Sequence, residues 1–103
     1  MAARKQEPKR KVVIISRAKD SSWARIHFGT LESFDLDAGT AQMSNTRMCI
    51  YYTKETGGET GLAAIGPQAG SRLSPIAPGR LDITGVGTIQ DASPAAIAKW
   101  ETA

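Results

Sequence analysis

The sequence predicts a mainly β domain. It reads as a small antiparallel sheet or partly open barrel of five or six strands, with one short internal helix and one short C-terminal helix. Three observations carry this. Apolar residues recur in short runs, most of which alternate with polar ones instead of following a helical period. Ten glycines and five prolines in 103 residues interrupt the chain too often for long helices. Aromatic residues make up only 6% of the composition, so the core has to rest on Val, Ile, Leu and Ala.

Taken in order, Val12-Val13-Ile14-Ile15 is a β-branched run that reads as a strand buried on both faces. Lys19 to Ser22 is polar and makes a turn. From Trp23 to Phe34, Ile26 and Phe28 alternate with Arg25 and His27. Gly29 then breaks the period, and a bulge there is expected to bring Leu31 into line with them. Asp35 to Gly39 reads as a turn and Thr40 to Met43 as a short strand. Arg47 to Thr53 carries Met48, Ile50 and Tyr52 on one face and Arg47, Cys49 and Tyr51 on the other. Gly57-Gly58 ends that strand, and Glu59 to Ile65 forms two helical turns stopped by Gly66-Pro67. Gln68 to Gly79, with two prolines, is expected to be an exposed loop or irregular edge. Leu81, Ile83, Val86 and Ile89 alternate and then slip, as at Gly29. Ser93-Pro94 supplies an N-cap and a first-turn proline for a closing helix over 95–100.

Residues 1–11 form a basic tail, and residues 12–103 a single β-rich domain. The tail contains Arg4, Lys5, Lys9, Arg10 and Lys11 against Glu7 alone, a net +4. The other 92 residues hold eight basic and nine acidic side chains, so the domain itself is close to neutral. Up to Arg10 the tail lacks an apolar pattern that would offset its ordering entropy, and it is expected to be mobile. No apolar segment follows that is long enough for a signal peptide. The run at 12–15 is far short of the roughly 20 residues of a membrane helix. A cytoplasmic protein is expected.

Few side chains here are suited to catalysis. His27 is the only histidine and Cys49 the only cysteine, so a Cys49–His27 pair is the one conceivable thiol dyad. The competing reading has Cys49 packed as a small apolar residue and His27 facing solvent or a subunit contact. One thiol and one imidazole do not make a zinc site, and Asp35-Leu36-Asp37 lacks the ligand spacing of a calcium loop. Thr56 to Gly61 is glycine-rich but has no Gly-Lys-Ser/Thr, so a plain turn is the simpler reading. No metal, cofactor or catalytic residue is assigned, and a non-enzymatic protein is expected. Binding surfaces remain. Arg47, Tyr51 and Tyr52 are candidate ligand or partner contacts, because Arg reads phosphates and tyrosine rings stack on bases. Arg4, Lys5, Lys9, Arg10 and Lys11 are suited to nucleic-acid phosphates or an acidic protein surface.

Gly29-Thr30-Leu31-Glu32-Ser33, followed by Asn45-Thr46-Arg47-Met48-Cys49-Ile50-Tyr51-Tyr52, resembles a family of small uncharacterised β-rich proteins of bacteriophages and prophages. That family has Asn-Ala-Arg-Arg-Ile-Trp-Tyr-Trp in the second segment. Its short Leu- and Ala-rich helix is similar to Gly61–Ile65, and its terminal Lys-Trp to Lys99-Trp100. The resemblance spans about residues 12–101 and implies a phage origin, but it supplies no activity to carry over. Three functions follow as expectations. The first is a virion or assembly-associated component, located in the virion or the host cytoplasm. The second is an anti-defence or host-takeover binder that blocks a host protein or sequesters a nucleotide signal. The third is a nucleic-acid-binding accessory protein using the tail. Each permits a homo-oligomer, since a small sheet with exposed edges gains by pairing them.

Overall fold

The fold is built around β1 (Lys11–Arg17), whose neighbouring residues feed two different cores in a computed structural model that describes residues 10–17 and 24–102. Val13 and Ile15 point to one side, Val12 and Ile14 to the other. This is the doubly buried strand expected from its β-branched composition. The expected mobile tail, the turn at 19–22 and Trp23 lie outside the described residues, apart from Arg10 and Lys11.

β1 pairs antiparallel with β2 (Ala24–Asp35), and β2 with β3 (Thr40–Tyr51). Two later segments complete the sheet on the far side of β3. β4 (Arg72–Leu73) pairs near its end, and β5 (Ala77–Thr84) along its first half. β6 (Val86–Asp91) lies at the opposite edge, on β1. Only Gly85 separates β5 from β6, so consecutive segments of chain reach opposite edges of one sheet. The sheet must therefore curl strongly, although its ladder does not close. At the kink, the Arg17 amide donates to the Gly85 carbonyl at 2.9 Å and the Val86 amide to the Gly39 carbonyl at 3.0 Å. The slip in the 81–89 pattern marks this kink.

Inside the curl, Val12, Ile14, Leu31, Ala41, Met43 and Ile83 form one core. The second core lies between the outer face of the sheet and the two helices, α1 (Gly58–Ala64) and α2 (Pro94–Thr102). Trp100 is its centre. The indole is fully buried, stacks on Phe28 with ring centroids 5.1 Å apart, and donates to the Leu62 carbonyl at 2.9 Å. The expected cap holds α2 in place: Ser93 Oγ accepts from the Ala96 amide at 3.0 Å and donates to the Ala64 carbonyl at 2.6 Å. One serine thus caps α2 and satisfies an end carbonyl of α1.

Three expectations need correction. The strands expected at 40–43 and 47–53 are a single strand, β3, which ends at Tyr51. Its bulge is at Asn45, which adopts φ +51° opposite Gly29. The extra residue is therefore on the partner strand, and Gly29 is required because a Cβ there would sit 2.9 Å from the Ser44 carbonyl. Leu31 does not join Ile26 and Phe28. Those two face the helices, whereas Leu31 enters the core of the curl. The segment 68–79 is the irregular edge expected, contributing the two-residue β4 and the first residues of β5.

Candidate functional site

Consecutive residues of a strand point to opposite faces, and this alternation separates the two most reactive side chains. Ile26 pairs in register with Cys49, and both lie in the core beneath the helices. His27, the next residue, faces the inside of the curl. The imidazole and the thiol are therefore on opposite faces of the sheet and do not form a dyad. Burial pushes the Cys49 thiol up to about 11, which is the chemistry of a packed apolar group.

His27 borders a cavity of about 140 Å³ between the ends of β1 and β2 and the crossing strand β5. Ser16 comes from β1, Arg25 and His27 from β2, and Asp82, Ile83 and Thr84 from β5. Ser16, Arg25 and His27 share this wall because Ser16 pairs with Arg25 and Ile14 with His27 in the antiparallel register. The imidazole is half-buried. Its Nδ1 is wholly buried and has no hydrogen-bond partner among the described residues. Burial, and secondarily the Arg25 guanidinium, hold its pKa below the ordinary 6.5, so the ring is neutral at pH 7. Asp82 also lines the cavity, but its carboxylate is paired with Arg80 at 2.8 Å. The sequence weighs His27 as a partner for Cys49 against a position facing solvent or a subunit contact, and does not place it at a cavity. The alternation Arg25-x-His27 was the available signal, but what these residues face depends on β5, some 55 residues later in the chain.

The contacts expected at Arg47, Tyr51 and Tyr52 do not converge. Arg47 lies under the end of α2, where Nη1 donates to the Trp100 carbonyl at 2.7 Å and Nε to the Ser74 carbonyl at 2.6 Å. The last four carbonyls of a helix lack intrahelical partners, so a guanidinium here acts as a C-terminal cap. Past Cys49 a second irregularity breaks the alternation. Tyr52 turns back to pack against the core, while Tyr51 is 55% exposed. Of the tail cations, Arg10 pairs with Asp91 at 3.2 Å and Lys11 with Glu101. Arg4, Lys5 and Lys9 lie outside the described residues. Of the glycine-rich segment, only Gly57 makes the turn, left-handed and with its amide donating to the Lys54 carbonyl at 3.1 Å, and Gly58 to Gly61 are the first turn of α1.

A second surface emerges at the end of the β2–β3 hairpin. Phe34 and Leu36 are 48% and 57% exposed, and the Arg10 guanidinium lies 5.9 Å from the centre of the Phe34 ring. Beside them a groove of about 360 Å³ runs between the hairpin and β5, with Phe34, Ala41 and Ile83 on its walls.

Residues 9–100 match the family model described as "Domain of unknown function (DUF6948)". The chain belongs to that family. The match takes in all six strands, α1 and most of α2, so the two-core fold and the His27 cavity lie within the family's domain. No curated protein and no solved structure matches the chain. Among the described residues no helix is long and apolar enough to cross a membrane.

Proposed function

We propose that this domain is a non-enzymatic binding protein whose main contact surface is the end of the β2–β3 hairpin. One observation carries the reading. Two large apolar side chains, Phe34 and Leu36, project at a hairpin tip beside the point where the basic tail joins the fold. Large exposed apolar residues grouped beside a groove are characteristic of protein contacts. The partner that fits is a protein with an apolar side chain for the groove and acidic residues for Arg4, Lys5 and Lys9. A virion or assembly-associated protein of a phage is the biological setting to which the sequence resemblance leads.

The anti-defence alternative loses its nucleotide-reading contacts, because Arg47 is engaged with two backbone carbonyls. It retains the version that blocks a host protein, which would use the same hairpin. The nucleic-acid reading draws on a tail in which two of the five cations are already paired with Asp91 and Glu101.

Site-specific photocrosslinking in the producing cell tests the proposal. A photoreactive phenylalanine analogue at position 34 or 36 should give one discrete protein adduct that is absent when the analogue replaces exposed Glu59. Mass spectrometry of the adduct, and of purified virions, then identifies the partner. Adducts equally abundant from all three positions would refute the hairpin surface. Absence of the chain from virions would remove the virion reading.

A further inference from the structure

We propose that the cavity between the β1–β2 strand ends and β5 is a binding site for a small oxyanion, a phosphate or carboxylate group, held by Arg25, His27, Ser16 and Thr84. This site is separate from the hairpin surface and does not rest on it.

Four observations converge. The cavity is real space, with about 140 Å³ available to several waters or one phosphate group. Its wall includes a polar atom that the fold leaves unanswered, since a wholly buried Nδ1 has no partner among the described residues. Buried polar atoms are almost always hydrogen-bonded, so the protein alone leaves the imidazole beside this cavity unsatisfied. The wall also includes a cation that forms no ion pair among the described residues, Arg25, whose planar fork suits an oxyanion. Finally, Ser16 and Thr84 border the cavity from β1 and β5, so its lining comes from three strands.

Charge favours this ligand class. Arg25 is positive, burial and the Arg25 charge favour the neutral form of His27, and Asp82, the one carboxylate on the wall among the described residues, is paired with Arg80. Ile83 and the neighbouring apolar walls exclude water on one side, which strengthens charge-assisted hydrogen bonds. A bound anion would offset the Arg25 field that disfavours the imidazolium. Protonation of His27 would then add a second charged donor, so anion binding and proton uptake reinforce each other.

A single histidine makes the test direct, because the imidazole resonances in a proton NMR spectrum belong to His27 alone. The full-length chain is titrated with pH in sodium phosphate, sodium acetate and sodium chloride at matched ionic strength. Phosphate or acetate should raise the apparent pKa of His27 by about half a unit or more over chloride, saturably. Whichever arm responds identifies the group as phosphate-like or carboxylate-like. Arg25→Gln should weaken the response about tenfold, the loss of one charge-assisted contact. Because Arg25 is exposed, that variant retains the fold, which the unchanged Phe28 and Trp100 resonances would verify. Identical titrations in all three salts would mean the cavity holds water alone and would overturn the proposal. An Arg25→Gln response equal to that of the parent would overturn it too.

Discussion

Replacing Arg47 with alanine separates a structural cation from a ligand-binding one. The guanidinium donates to two backbone carbonyls, Trp100 at the end of α2 and Ser74 in the segment between β4 and β5. Hydrogen bonds to charged groups are worth about 1.5–3 kcal/mol each, with the upper values reserved for full burial. Arg47 is only partly buried, and water can reach the vacated carbonyls. We therefore expect Arg47→Ala to cost about 2–4 kcal/mol for the pair, less than the simple sum of the two. A domain of about 100 residues loses about 4–8 °C of Tm per kcal/mol, which gives a fall of roughly 8–32 °C. In urea, a slope of about 1–2 kcal/mol per molar places the midpoint about 1–4 M lower. The assay is equilibrium unfolding followed by tryptophan fluorescence, with circular dichroism as a second probe of two-state behaviour. Arg47→Lys should recover less than half of the loss, because an ammonium cannot span both carbonyls as the planar fork does. A midpoint for Arg47→Ala within about 0.3 M of the parent would refute the capping role and return Arg47 to the candidate ligand contacts.

Three further outcomes are expected. Gly85→Ala should destabilise by about 1–3 kcal/mol more than Gly79→Ala in urea unfolding. Both glycines have positive φ, but a Cβ at Gly85 would lie 2.1 Å from the Arg17 carbonyl, whereas the space at Gly79 is open. Equal costs would show that backbone strain alone matters at the kink. Trp100→Phe should lose about 1–3 kcal/mol, because ring stacking on Phe28 survives while the Leu62 carbonyl loses its buried donor. Cys49 should react with a disulfide reagent at pH 8 about a hundredfold more slowly in the native protein than in guanidinium, since its thiol is pushed up from 9.0 to about 11. The same shift sets an alkaline limit. The buried neutral thiol contributes stability below pH 9 that is lost as the pH rises toward 11, and Cys49→Ala should flatten that decline.

Much of the fold could be read from local pattern. The β-branched run of β1, the Ser93-Pro94 start of α2 and the Gly66-Pro67 stop of α1 are each decided by residues close in sequence, and each is where the pattern put it. The join between 40–43 and 47–53 escaped because Asn45 carries a bulge that looks like a break in alternation. Leu31 faces the other core because the extra residue expected at Gly29 lies on β3 instead, so β2 keeps its alternation through Leu31. The candidate site was less legible. Arg47 has the sequence signature of an exposed strand residue until α2, more than forty residues later, arrives above it. The His27 cavity depends in the same way on β5. Non-local packing decides both, and no periodicity within β2 or β3 encodes it.

The kink at Gly85 also has a consequence for how the molecule assembles. Until β5 and β6, the strands on either side of that kink, have been made, the first half of β3 and β1 lack their outer neighbours, and α2 is not yet present to cover Phe28. The final segment is the clasp that fastens both margins at once, and its contacts span most of the chain. Such distant pairings form late and slowly. The nascent protein therefore carries two bare strand margins and an uncovered aromatic during synthesis, the conditions under which β proteins aggregate. Chains shortened before β5, at Ile76, should accumulate in inclusion bodies, whereas the 103-residue chain should not.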